Sequence, residues 1–196
     1  QQSLKKVRQG PAKVRNIFEN ILAEEKKSGF TTLIIRPATI CGYTPRLRLD
    51  LTVNTLTNHA INNGKITVFG GSQTRANIHV DDMVDLYLKC MTYPDKQIDG
   101  MIFNAGLENL QVINIAEMVR DIVGTSVKID VTKSDDLRSY HISSTLLEKH
   151  LGFKPKYSVS KAIEDLIDAF DSGKIPEPMT HPRYYNLRMM QHLSLV

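Results

Sequence analysis

Short apolar runs rich in β-branched residues alternate along this chain with longer stretches of helical periodicity, and no other feature constrains the fold as strongly. Ile17, Ile21 and Leu22, with Phe18 beside them, mark one face of a helix that ends before Gly29, and residues 31–35 follow as a short buried strand. Residues 51–62 read as a helix stopped by Asn63-Gly64, a pair suited to a left-handed turn. Residues 66–69 and 76–80 read as strands around a Gly70-Gly71 turn. Asp81 or Asp82 is placed to cap a helix over 83–91, which Pro94 closes. The pattern continues with a strand at 101–103, a helix at 113–123 ending at Gly124, a strand at 127–131, and helices at 143–150 and 160–170. Strands separated by helices imply an α/β fold with parallel strands, because a crossover between parallel neighbours needs a helix to carry the chain back. There is no internal repeat and no low-complexity tract.

Composition removes several classes. A 196-residue chain with 41% hydrophobic and 23% charged residues is an ordinary globular sequence, so disordered and fibrous classes are excluded. Five of the 25 basic residues and no acid fall in the first fifteen positions; without them the net charge of +4 becomes −1. That end has no aromatic residue for stacking and no nucleic-acid motif, so residues 1–15 are expected to be a basic leader, with no nucleic-acid partner. Cys41 and Cys90 lie in apolar stretches with no second cysteine near them, as expected of buried free thiols in a reducing compartment. No histidine pairs with acids or cysteines at ligand spacing, so no metal site is expected. With no apolar run approaching the ~18 residues of a membrane span and no secretory signal core, a cytoplasmic location is expected. The first residue is Gln1, which suggests a trimmed or partial product.

Three segments carry chemical information: Arg36-Pro37-Ala38-Thr39-Ile40-Cys41-Gly42-Tyr43, Val68-Phe69-Gly70-Gly71-Ser72-Gln73-Thr74-Arg75 and His79-Val80-Asp81-Asp82. Together they resemble the second half of an NAD-dependent nucleotide-sugar epimerase or dehydratase of the extended short-chain dehydrogenase/reductase family, from about Lys13 to Tyr184-Tyr185-Asn186. The resemblance implies the C-terminal part of a Rossmann-type parallel sheet, with 31–35 and 101–103 as its last strands. It also implies a smaller α/β sugar-nucleotide lobe built from 45–80 and 107–170. Arg75 would bind the diphosphate, for which a guanidinium is suited because it forks onto two oxygens and keeps its charge. Arg138, in Asp136-Leu137-Arg138-Ser139-Tyr140, would be the second arginine of the clamp. Val68 and Phe69 would pack on the nucleotide base, and Asn54 would reach the substrate or else be plain helix-surface polarity. Pro37 and Thr39 would border the cofactor NAD, Thr39 standing where many members have Asn and offering a hydroxyl in place of an amide. His79 would be structural. Arg46 and Arg48 read as solvated and Asp50 as a helix N-cap. The partners implied are a sugar nucleotide and either a homo-oligomer or the N-terminal half of such an enzyme.

The chain departs from the family at its acid–base dyad, a Tyr followed four residues later by a Lys. Aligning Glu19 with the family's Glu puts Pro11 at the Tyr position and Arg15 at the Lys position; taking Lys13 as the Lys puts Gln9 at the Tyr. The first tyrosine of the chain is Tyr43, and no G-x-G-x-x-G spacing occurs. No catalytic residue is therefore assigned. The readings left open are a partial epimerase or dehydratase, a non-catalytic sugar-nucleotide-binding or interaction module, and, most weakly, a basic-tailed nucleic-acid binder.

Overall fold

The structure, a computed structural model, describes residues 11–25, 29–134 and 139–195. Helix α1 (Pro11–Glu24) begins inside the stretch expected to be a leader; residues 1–10 lie outside the described residues. Strand β1 (Leu33–Pro37) follows, then β2 (Thr39–Cys41), α2 (Thr52–Asn63), β3 (Lys65–Phe69) and β4 (Thr74–His79). The chain continues through α3 (Val80–Cys90), the single turn α4 (Asp95–Ile98), β5 (Met101–Ala105), β6 (Glu108–Gln111), α5 (Val112–Val123) and β7 (Lys128–Thr132). Helices α6 (Thr145–Leu151) and α7 (Val159–Asp171), a 3-10 turn (Pro182–Tyr184) and α8 (Asn186–His192) complete it.

The expected α/β class holds, and β1 pairs in parallel with β5, as the Rossmann reading requires. The strands at 66–69 and 76–80 do not pair with each other across Gly70-Gly71. β3 joins β7 in parallel, whereas β4 is the middle strand of a separate sheet, parallel to β2 and antiparallel to β6. Strands β2 and β6 were not expected from the sequence. β2 has three residues, and β6 reads Glu-Asn-Leu-Gln, without an apolar run.

The chain changes sheets at two neighbouring points. After β1, Ala38 donates its N–H to the Ala105 carbonyl at 2.7 Å, and the next residues pair with β4. After β5, Leu107 donates to the Asn77 carbonyl at 2.9 Å, and β6 likewise pairs with β4. The two crossings touch: a Cβ on Gly106 would lie 3.2 Å from the Ala38 Cβ and 3.3 Å from Ile142 Cγ2, so a side chain there would have to displace its neighbours slightly.

Three apolar clusters hold the layers together. α2, α5 and α7 pack on β3 through Val53, Leu56, Ile66, Val68, Ile115 and Ile163. α3 and α6 pack on β4 and β5 through Ile78, Met83, Leu86, Phe103 and Leu147. Leu47, Leu49, Leu166 and Tyr184 join the loop after β2 to α7 and the C-terminal segment. A fully buried side chain of this size contributes about 1.5–3 kcal/mol, so these clusters supply most of the driving force. On the opposite face of β1, Arg36 donates through Nε to Glu19 of α1 at 2.8 Å, in a forked ion pair that lowers the Glu19 pKa, chiefly through this hydrogen bond.

The acids expected to cap α3 do other work. His79 is the N-cap, its Nδ1 accepting from the Asp81 N–H at 3.1 Å. Asp82 is fully buried and accepts from the backbone N–H groups of Lys156 and Tyr157, both at 2.9 Å, pinning the segment before α7 to the start of α3. Asp50 does not cap α2 either, since the N-cap there is Leu51, with no side-chain bond. Its carboxylate instead accepts from Arg48 Nε at 2.9 Å and from the first N–H of α8, Asn186, at 3.0 Å. Among the described residues, no helix is long and apolar enough to cross a membrane.

Candidate functional site

A cleft of about 740 Å³ opens beside the Ala38 crossing, at the C-terminal ends of β1 and β2. In open α/β sheets this is where ligands bind, because the chain leaves the strands in diverging directions and exposes loop backbone. The cleft is lined by Pro37, Thr39, Arg46, Arg48, Asn54 and Tyr140, among others. A second pocket of about 320 Å³ includes Asp50, His59, Val68, Phe69 and Arg75. The start of α2 runs between them, with Leu51 on the cleft and Thr52 on the second pocket, and the N-cap residue places no side chain on the first-turn amides.

The residues expected from the sequence therefore divide into two groups. Pro37, Thr39 and Asn54 face the cleft, while Val68, Phe69 and Arg75 face the second pocket. Asn54 is not a surface residue. It is 2% exposed, its Oδ1 accepts from the Gly42 N–H at 3.1 Å, and its Nδ2 donates to the Arg48 carbonyl at 2.9 Å. Its amide thus fixes the loop that forms the cleft wall. Val68 is fully buried and forms part of the floor, whereas Phe69 is 62% exposed at the rim, as the alternation of a strand requires. Arg138 lies outside the described residues.

Arg46 and Arg48 are not simply solvated. Arg46 donates to the Arg183 carbonyl at 2.9 Å and Arg48 pairs with Asp50. Burial would raise the Asp50 pKa, but the bonds from Arg48 and Asn186 outweigh it and hold the carboxyl below its ordinary range. Arg75 donates Nη1 to the Thr74 carbonyl at 3.1 Å and lies over the ring of Tyr140, 5.5 Å from its centroid. The Tyr140 hydroxyl is 3.1 Å from Thr39 Oγ1. Two residues of the site were not read from the sequence: Tyr140, whose partners are remote in the chain, and His59, half-buried in α2, whose pKa burial lowers.

His79 is structural, as expected. Besides capping α3, its Nε2 meets Asp165 at 3.1 Å, and its ring lies against Tyr157. Asp81 and Asp165 approach it closely enough for an ion to bridge all three, yet each ring nitrogen already has a protein partner and Asp165 also pairs with Lys161. Cys41 and Cys90 are buried free thiols, and burial pushes Cys41 up to about 12, out of the range of a working nucleophile.

Fold and cleft define an α/β protein with a pocket at a sheet crossing. Residues 14–106 match the sequence profile of the NAD dependent epimerase/dehydratase family, which bears out the resemblance read from the motifs. Among solved structures, UDP-glucuronic acid 4-epimerase from Bacillus cereus, in complex with UDP-glucuronic acid and NAD, is similar at 23% identity and TM-score 0.67. That match covers 80% of this chain and 50% of the epimerase. UDP-glucose 4-epimerase from Thermotoga maritima, with UDP-glucose, aligns at 22% identity and TM-score 0.66, over 81% of this chain and 51% of that one. dTDP-glucose 4,6-dehydratase from Bacillus anthracis, in complex with NAD, aligns at 16% identity and TM-score 0.66, over 90% and 53%. The chain thus has the fold of the C-terminal portion of these NAD-dependent enzymes and spans about half their length. The strand end at Pro37–Thr39 lines the cleft, and no G-x-G-x-x-G spacing that would seat a pyrophosphate on a helix N-terminus occurs in this sequence.

Proposed function

We propose that this chain supplies the sugar-nucleotide-binding side of an NAD-dependent epimerase or dehydratase. The sugar would enter the Thr39 cleft, the diphosphate would be bound by Arg75, and the nucleoside would lie against Phe69. The observation that carries this reading is the adjacency of the two pockets at a sheet crossing, with arginines around both. The volumes suit ligands of this class, and a diphosphate needs a fixed, planar cation. The sugar-nucleotide ligands of the similar epimerases support the choice of ligand class. For chemistry, the positions matching the dyad hold Pro11 or Gln9 and Arg15 or Lys13, so binding without turnover is proposed for the chain taken alone.

Calorimetric titration with uridine and thymidine diphosphates, their sugar conjugates and NAD tests this reading. A charge-assisted bond to phosphate contributes about 1.5–3 kcal/mol, so Arg75→Ala should weaken diphosphate binding roughly tenfold or more. Arg75→Lys should recover part of the loss, since an ammonium cannot fork. Equal affinity in wild type and Arg75→Ala would place the phosphate elsewhere.

A further inference from the structure

Among the described residues, Tyr140 touches candidate ligand-binding residues of both pockets, and it does so through different parts of its side chain. Its ring lies under the Arg75 guanidinium, 5.5 Å from centroid to Cζ. Its hydroxyl is 3.1 Å from Thr39 Oγ1, on the first turn of the cleft wall. It is held from behind by backbone: Tyr140 N–H points to the Thr74 carbonyl at 3.4 Å, and the preceding Ser139 Oγ accepts from the Thr74 N–H at 2.9 Å. The segment is thereby fastened to the start of β4, one residue before Arg75. The side chain is 42% exposed, so core packing does not explain why it stands there.

We propose that Tyr140 is a positioning residue of the cleft wall, orienting Arg75 with its ring and Thr39 with its hydroxyl. The proposal rests on the sugar-nucleotide reading of the site. A long arginine side chain has many rotamers, and a phosphate gains most from a guanidinium already aimed at it, because the ordering cost is then met before binding. A ring face adds to the order that the Nη1 bond to the Thr74 carbonyl already gives, because it acts on the plane of the guanidinium and not on its N–H edge. The hydroxyl acts on the other side: it holds the Thr39 hydroxyl at the cleft rim, where the sugar of the proposed ligand would sit.

The two functions separate by mutation. Tyr140→Phe keeps the ring and removes the hydroxyl; Tyr140→Leu removes both. By calorimetry, Tyr140→Leu should weaken uridine diphosphate about two- to fivefold, the range of an exposed cation–ring contact, while Tyr140→Phe leaves it unchanged. The Phe variant should instead alter the additional affinity that a UDP-sugar shows over uridine diphosphate, and Thr39→Val should reproduce that change. In an Arg75→Ala background, Tyr140→Leu should have no further effect on uridine diphosphate. Independent losses in that background, or a Phe variant as weak as the Leu variant, would overturn the proposal. A ligand-free measurement keeps the two readings apart. The Arg75 Nε–H resonance in a nitrogen-15 spectrum should be displaced by the ring current in wild type and Tyr140→Phe and relax in Tyr140→Leu. If uridine diphosphate does not bind the wild type, the site reading fails while the resonance still decides the positioning role. A resonance that does not move on Tyr140→Leu refutes it.

Discussion

Replacing Asp82 tests whether its two hydrogen bonds, rather than helix capping, account for the acid at this position. The carboxylate is fully buried and accepts from two backbone N–H groups at 2.9 Å, 74 and 75 residues along the chain. Hydrogen bonds to a charged acceptor contribute about 1.5–3 kcal/mol each, and a buried donor left unmatched carries a comparable penalty. In Asp82→Asn the amide oxygen retains one bond and the NH₂ group opposes the other donor, so the expected loss is about 2–4 kcal/mol. Asp82→Ala leaves both N–H groups unmatched and should lose about 3–6 kcal/mol. Against a typical domain stability of about 5–15 kcal/mol, the alanine variant would be close to unfolding. Its neighbour Asp81, 63% exposed, is the internal control: Asp81→Asn should cost less than about 1 kcal/mol through the helix dipole. Urea denaturation followed by circular dichroism reads the difference as a change of midpoint at constant slope. If Asp82→Asn and Asp81→Asn were equal, the clasp would contribute nothing and the assignment would be wrong.

Gly42→Ala should destabilise the chain by about 1–3 kcal/mol, since φ is +99° and the new Cβ would fall 2.9 Å from His79 Nε2; a thermal melt unchanged from wild type would contradict it. Because the folded pKa of Asp50 is depressed, its contribution is complete above the unfolded value of about 3.9 and is lost as pH falls through the lower folded value. Melting temperature plotted against pH should therefore fall less steeply on the acid side in Asp50→Asn than in wild type, and parallel curves would refute the linkage. Among the described residues β1 and β5 pair only with each other, leaving strand edges beside an Ile102 that is 38% exposed, so the chain should self-associate. Light scattering after size exclusion should show oligomers that co-expression with the N-terminal half of a related enzyme reduces; a clean monomer with a sharp melt would show that the sheet edges are no liability.

The sequence was informative wherever structure is decided locally. Gly64 and Gly124 end α2 and α5 as expected because the signal is carried by one residue and the turn before it. The strands expected at 31–35 and 101–103 run at 33–37 and 101–105: their apolar starts were legible, whereas the ends carrying Arg36 and Asn104 were not. β6 was not, since an edge strand paired on one side tolerates Glu108 and Asn109 and lacks the apolar run. The partners of β3 and β4 were not legible, because a Gly-Gly turn says that the chain bends, not which strand each arm will join. Of the residues that line the two pockets, Arg75, Phe69, Thr39 and Pro37 stand in motifs legible in the sequence. What Asn54, Asp50, Asp82 and Tyr140 do depends on partners elsewhere in the chain, up to 136 residues away for Asp50, and no local pattern encodes those partners.

The outer wall of the cleft is fastened by the far end of the chain: the Leu49 N–H bonds to the Tyr184 carbonyl, Arg46 to the Arg183 carbonyl, and Asp50 to the Asn186 N–H. During synthesis the strands and helices that border the cleft leave the ribosome long before those anchors do. The apolar layers can collapse on the growing polypeptide and Asn54 can bond the Arg48 carbonyl, but the loop carrying Arg46 and Arg48 gains its remaining anchors only when residues 183–186 emerge. The outer wall of the cleft is thus closed only after residues 183–186 have been made, later than the sheets that border it.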